Sequence, residues 1–252
     1  MVMSRGAELH KTSLIRQSGS LSAPTEWLSV GLALSFAVLW GVYTHYHSWF
    51  CKDDLKNFAL AYDSGFLTYL ATPIDVHFVP LHRMVNYALL EFAPMNFTVA
   101  LTLMMLVHLA SIYYFYRLLQ MLAPGRMNLI FVALYVMNSY FYAVYIWWSA
   151  GLHRLPYILL CLICMIKFVE YLHYGRKSSF WFGAALFVLA LGFYSKAVLI
   201  PGYLVCLCIA RWLLSPYEHF KRGLLGALLL LVVAIAYTAG FILLGESGDS
   251  KV

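Results

Sequence analysis

The stretch Leu224–Leu244, LLGALLLLVVAIAYTAGFILL, decides the class of fold. It contains no charged residue. An α-helix needs roughly 20 apolar residues to cross the hydrocarbon core of a bilayer, whereas a buried strand of a soluble protein ends after about 4 to 8 residues. The stretch therefore predicts a transmembrane helix.

The rest of the chain has the same character. Of its 252 residues 63% are hydrophobic and 11% are charged, and its mean hydropathy is +0.77. Soluble domains carry roughly 25% charged residues. Six further apolar runs cover about 27–45, 96–119, 127–147, 156–172, 180–194 and 199–214. The sequence predicts an all-α integral membrane protein with about seven transmembrane helices.

The basic residues predict the orientation, because Lys and Arg collect in cytoplasmic loops. With the N-terminus inside, the inner side would hold Arg5, Lys11, Arg16, Arg117, Arg126, Lys167, Arg176, Lys177, Arg211, Lys221 and Arg222. The outer side would hold Lys52, Lys56, Arg83, Arg154, Lys196 and Lys251. This bias favours an N-in/C-out topology. The clusters lie between apolar runs and form no basic stripe, so we expect a lipid bilayer as a partner and no nucleic acid.

One loop is much longer than the others. The predicted layout is a cytoplasmic tail (1–26), a transmembrane domain (27–245) with its first outer loop at 46–95, and a short outer tail (246–252). Within the loop lies WFCKDDLKNFALAYDSGFLTYLATPIDVHFVPLHR (Trp49–Arg83), which holds four of the eleven acidic residues. Enlarged loops usually carry function, so we expect any chemistry here.

Two segments of this loop predict amphipathic helices that lie in the plane of the membrane surface. The first, Asp53–Leu67, has an apolar face of Leu55, Phe58, Ala59, Tyr62 and Phe66, although Asp63, Ser64 and Gly65 favour an earlier end. The second, about Leu81–Phe92, has an apolar face of Met84, Val85, Ala88, Leu89 and Phe92.

Asp53 and Asp54 are the candidate catalytic residues. At a helix start, carboxylates also act as caps, which is the simpler interpretation. Adjacent helical residues diverge by about 100°, so one carboxylate can cap while the other points into a cleft. A carboxylate in such a cleft suits a general base.

Candidate phosphate-binding residues are Arg83, Arg154, Lys196 and His82. Guanidinium groups bind phosphate through two parallel hydrogen bonds, and an ionisable residue at membrane depth is a functional candidate. For Lys196 the alternative is a lysine that extends to the membrane surface.

A metal site is the less favoured interpretation of the histidines. His77 and His82 could bind metal with Asp75, but Pro80 lies between them and their spacing of five does not share a helical face. We assign no metal ligand and no cofactor, with a divalent cation left open. His108, inside the second predicted span, is expected to be a hydrogen-bonded core residue.

The acidic pair that opens the first loop, the segment HFVPLHR (His77–Arg83) that closes it, and the run SKAVLIP (Ser195–Pro201) together resemble the GT-C class of membrane glycosyltransferases. The likeness is to bacterial members related to protein O-mannosyltransferases and aminoarabinose transferases. It implies that Asp53, or else Asp54, is the general base and that basic residues hold the phosphate of a polyprenyl-phosphate sugar. Lys196 matches the lysine of a Lys-Glu motif, but Ala197 replaces the glutamate.

The resulting hypothesis is a multi-pass glycosyltransferase of the inner or plasma membrane, active at the outer face of the cell envelope. It would move a sugar from polyprenyl phosphate to a hydroxyl of an unidentified glycan, lipid or protein. The alternatives are a non-catalytic lipid-carrier transporter or flippase, and an inactive assembly subunit of similar fold.

Overall fold

The computed structural model describes residues 24–74, 77–138, 144–214 and 220–245, and the regular structure in these ranges is helical. The helices are α1 (Pro24–His47), α2 (Lys52–Asp63), α3 (Phe66–Ala71), α4 (Pro80–Phe92), α5 (Phe97–Leu122), α6 (Asn128–Val136), α7 (Trp148–Tyr174), α8 (Lys177–Phe193), α9 (Ile200–Leu214) and α10 (Phe220–Gly245). A 3-10 helix, Ser195–Leu199, leads directly into α9.

Within the described ranges, four helices are long and apolar enough to cross a bilayer: α5, α7, α10 and the continuous segment Ser195–Leu213. Only 22% of the most apolar part of α10 is buried inside the protein. Leu225 and Val232, for example, are 62% and 63% exposed. Apolar surface of this extent needs a non-aqueous surrounding, which indicates a membrane protein.

The remaining predicted spans are matched unevenly. Helix α1 covers the first predicted span, and α8, with 17 residues, covers the fifth. The third predicted span contains α6, which has only nine residues, and residues 139–143 lie outside the described ranges. The number of seven spans and the N-in/C-out topology therefore stay predictions, as do the tails, because residues 1–23 and 246–252 are also outside the description.

The first predicted loop helix is divided in two. Helix α2 ends at Asp63, where the Ser64 N–H donates to the Leu60 carbonyl, and Gly65 then starts α3. Of the predicted apolar face of α2, Phe58 is buried in the protein, whereas Leu55 and Tyr62 are exposed, as an apolar face that meets a membrane surface would be. The buried face consists of Asp54, Asn57, Phe58 and Ala61.

Helix α4 also buries polar side chains in the protein. Pro80 begins it, as suits a residue without an N–H at a helix start. Its buried residues are His82, Arg83, Asn86 and Leu89, whereas Met84 and Phe92 of the predicted apolar face are exposed. Both loop helices therefore bury polar side chains in the protein beside a few apolar ones, and expose much of their predicted apolar face. Their position in the plane of the membrane surface stays a prediction.

Close packing brings several helix ends to one face of the bundle. Phe50, just after α1, packs edge-to-face on Phe97 at the start of α5, with ring centroids 5.3 Å apart. Gly192 near the end of α8 allows α4 to approach, since a Cβ there would lie 2.7 Å from Leu81 Cγ. The hydroxyl of Tyr237 on α10 donates to the Phe78 carbonyl and so fixes the segment before α4.

Candidate functional site

A cleft of about 600 Å³ lies at this face of the bundle. It is lined by α2, by the segment before α4 and Arg83, by the start of α7 and by the residue that follows α8. Its lining residues are Asp53, Lys56, Asn57, Leu60, Asp63, Pro73, Ile74, His77, Arg83, Trp147, Ser149, Ala150, His153, Arg154 and Tyr194.

Arg83 is the buried cation of the cleft, with 2% of its surface exposed. Its guanidinium donates to three neutral oxygens: the Thr72 carbonyl (3.2 Å), the Pro73 carbonyl (2.9 Å) and Asn57 Oδ1 (3.1 Å). It also lies 4.5 Å from the ring centre of Tyr69. Within the described ranges no carboxylate forms an ion pair with it. A buried charge without a counterion is costly, so this position favours an anion.

Asp54 is fully buried and joins two helix starts. One carboxylate oxygen accepts from the Cys51 N–H at the start of α2 (2.8 Å), and the other accepts from the Ser149 N–H in the first turn of α7 (2.7 Å). Both are groups that lack a partner within their own helix. Asp54 therefore caps both helices, and both of its oxygens already accept hydrogen bonds.

The same network reaches Arg83. Asn57 Nδ2 donates to the Ser149 hydroxyl (3.1 Å), while Asn57 Oδ1 accepts from Arg83. A second buried chain runs from Trp148 Nε1 to Asn86 Oδ1 (2.8 Å) and from Asn86 Nδ2 to the Tyr69 hydroxyl (2.7 Å). These networks fix α2, α4 and α7 relative to one another.

Asp53, by contrast, is exposed and lines the cleft. It precedes Asp54 in the first turn of α2, so the rotation between adjacent residues turns it away from the buried face. The structure thus separates the acidic pair into a capping carboxylate and a carboxylate that a bound molecule can reach.

A stack of ring side chains joins the lining of the cleft to the buried His82. His82 lies flat on His153 with centroids 4.1 Å apart, and His153 in turn faces Tyr194 at 5.7 Å. His77 contacts this stack by its edge, and its Nδ1 hydrogen-bonds the Ser195 hydroxyl at 2.5 Å. Burial lowers the pKa of His82 well below its ordinary value of 6.5, and His153 and Arg83 lower this pKa further. His82 is therefore neutral.

The predicted phosphate-binding residues separate into two groups. Arg83 and Arg154 both line the cleft. His82 is fully buried and does not line it, and the exposed Lys196 lies beside the cleft, 5.4 Å from the ring centre of Tyr194. The structure thus brings two of the four predicted residues into direct reach of a bound molecule.

The predicted metal alternative finds no ligand set among residues 24–74, 77–138, 144–214 and 220–245. Asp75, which the sequence suggested as a partner of His77 and His82, lies outside these ranges. His108 is buried and hydrogen-bonded to the Tyr145 hydroxyl, which confirms the predicted core role.

Sequence reasoning missed Asn57, Ser149 and Trp147. Asn57 carried a readable signal, because it stands three residues after Asp54 and so shares its helical face. Ser149 and Trp147 stand in the segment WWSAGLHR, where nothing local indicates contact with a loop about ninety residues earlier. The comparisons with known proteins add no assignment: no family model, no curated protein and no solved structure matches the chain.

Proposed function

We propose that this protein is a membrane glycosyltransferase that moves a sugar from a polyprenyl-phosphate donor to an acceptor hydroxyl at the outer face of the membrane. The observation that carries the proposal is the buried Arg83 guanidinium, which faces the cleft with no carboxylate partner among the described residues. Arg154 lines the same cleft, so a phosphate there would lie near two guanidinium groups.

The apolar helices support a lipid-linked donor. The cleft is built from the ends of α7 and α8 and from loop helices whose apolar residues point outward. These features support a position of the cleft at the boundary between hydrocarbon and water. A polyprenyl chain can then stay in the hydrocarbon while its phosphate and sugar enter the cleft.

Asp53 supplies the base in the proposed reaction. Its carboxylate takes the proton of the acceptor hydroxyl as that oxygen attacks the anomeric carbon of the sugar. The bond from the anomeric carbon to the phosphate oxygen breaks, and polyprenyl phosphate leaves with an added negative charge. Arg83 and Arg154 stabilise that charge where it develops. The outcome is a glycoside, a protonated carboxyl group and polyprenyl phosphate.

The test is donor turnover. Purified protein in lipid nanodiscs is incubated with labelled polyprenyl-phosphate sugars and an envelope extract as acceptor, and released polyprenyl phosphate is quantified. Wild type is expected to release it, and Asp53→Asn to do so about 10² to 10⁴ times more slowly while it still binds donor. Glu91→Gln, at an exposed residue of α4 that does not line the cleft, is the control for loss of charge and should keep most activity. Donor binding with no turnover by wild type would contradict the proposal and favour a lipid carrier.

A further inference from the structure

Two buried polar atoms on residues that line the cleft lack hydrogen-bond partners. They are the indole Nε1 of Trp147 and the Nε2 of His153, and neither contacts a donor or acceptor in the described part of the chain. Buried polar groups are nearly always paired, so such atoms need an explanation. Both residues line the cleft although these two atoms are themselves covered, so a bound molecule becomes their partner when the side chain rotates toward it.

The chemistry of these two atoms selects the kind of group that fits them. An indole N–H only donates, whereas an imidazole nitrogen donates or accepts according to its tautomer. A hydroxyl group both donates and accepts, so adjacent hydroxyls can satisfy both atoms whichever tautomer His153 adopts. A phosphate oxygen only accepts hydrogen bonds, and in the proposed site it accepts them from Arg83 and Arg154.

The surrounding surface also suits a polyol ring. Trp147 and Tyr194 line the cleft with aromatic groups, and Asp53 and Lys56 of α2 line it with charged groups. Aromatic side chains offer an apolar face together with a polar edge, which matches a ring that carries hydroxyls on its rim. Water is the competing partner, since a buried water makes about three hydrogen bonds to such groups.

From these observations we infer that Trp147 and His153 hold the sugar of the lipid-linked donor through its hydroxyl groups. This inference rests on the proposed function and deepens it by assigning the sugar contacts. Trp147 and His153 act in recognition, and they take no part in proton transfer. Binding of the phosphate alone should therefore not depend on them.

The experiment compares two ligands on each variant in nanodiscs. Equilibrium binding is measured for polyprenyl phosphate and for polyprenyl phosphate carrying glucose, mannose or arabinose. Trp147→Phe keeps the ring and removes only the N–H. It is expected to weaken binding of the best sugar-bearing ligand about tenfold, and to leave the Kd of polyprenyl phosphate unchanged.

Variants of His153 and a control tryptophan variant distinguish loss of a sugar contact from misfolding. His153→Gln places an amide near the Nε2 position and should retain more sugar-dependent binding than His153→Leu. Trp181→Phe makes the same chemical change on α8 at a residue that is 67% exposed and does not line the cleft, and it should leave both affinities unchanged.

The outcomes separate the two proposals. If wild type binds the sugar-bearing ligands no better than polyprenyl phosphate, or if Trp147→Phe and His153→Leu leave sugar-dependent binding intact, the sugar contacts are wrong and the phosphate site stands. If wild type binds neither ligand, the proposed function fails and the sugar contacts fail with it. A fall in binding of both ligands together in folded Trp147→Phe would also overturn the inference.

Discussion

Exchange of each aspartate of the acidic pair for asparagine should separate capping from chemistry. In the wild-type protein the Cys51 and Ser149 N–H groups donate to the two Asp54 oxygens at 2.8 and 2.7 Å. Asp54→Asn leaves one acceptor oxygen for these two donors and turns an amide NH₂ toward the other donor. Hydrogen bonds to a charged group contribute about 1.5–3 kcal/mol each. Loss of one, and weakening of the other, gives an expected destabilisation of about 2–4 kcal/mol.

For a chain of this length that corresponds to a melting temperature lower by about 5–15 °C. Asp53→Asn changes an exposed carboxylate whose structural effect is limited to the helix dipole, less than about 1 kcal/mol. The assay is thermal unfolding in detergent followed by a maleimide dye, which reports the buried thiols Cys164 and Cys208 as they become accessible. Equal melting temperatures for the two variants, or a larger loss for Asp53→Asn, would refute the assignment of Asp54 as the double cap.

Three further predictions concern residues close to the cleft. Gly192→Ala should lower the melting temperature by several degrees, because the new Cβ would lie 2.7 Å from Leu81 Cγ. Gly202 has open space around it, so Gly202→Ala should leave the melting temperature unchanged or slightly higher. The pKa of Cys51 is raised by burial and, to a smaller extent, by the charges of Asp54 and Asp53. Alkylation of Cys51 at pH 8 should therefore be slower than alkylation of glutathione, and it should be faster in Asp53→Asn than in wild type. Equal rates for Cys51 in Asp53→Asn and in wild type would contradict this. Because the pKa of His82 is lowered in the folded protein, unfolding binds a proton as the pH falls below 6.5. Stability should therefore decline from pH 7 to pH 5.5, and His82→Gln should show less of this decline; an identical pH dependence would argue against it.

The loop helices show where sequence patterns succeed and where they fail. Asp63, Ser64 and Gly65 predicted the early end of the first loop helix correctly, since turn-forming residues act locally. The polar faces that α2 and α4 turn toward the protein were not predicted, because the apolar pattern indicates which side could meet a membrane but not what the opposite side contacts. Here the apolar residues Tyr62 and Phe92 point outward, and Asn57 and Arg83 point inward.

The acidic pair illustrates a second limit. Helix geometry predicts that only one of the two aspartates can face a cleft, but it does not predict which one. That choice depends on where the Ser149 N–H at the start of α7 approaches α2, a contact between residues about ninety positions apart. For the same reason the sequence placed Arg83 and Arg154 in the site but could not indicate that Lys196 would lie beside the cleft.

The most direct test of the account is the affinity for polyprenyl phosphate of wild type and of Arg83→Gln. Gln can keep one hydrogen bond to Asn57 or Pro73 but removes the buried charge, and variants are compared only where tryptophan fluorescence and melting curves show a folded protein. If Arg83 holds the lipid phosphate, Arg83→Gln should raise the Kd about 10- to 100-fold, with a smaller rise for Lys196→Gln. An unchanged Kd in folded Arg83→Gln would contradict the claim that this cleft binds a lipid-linked phosphate.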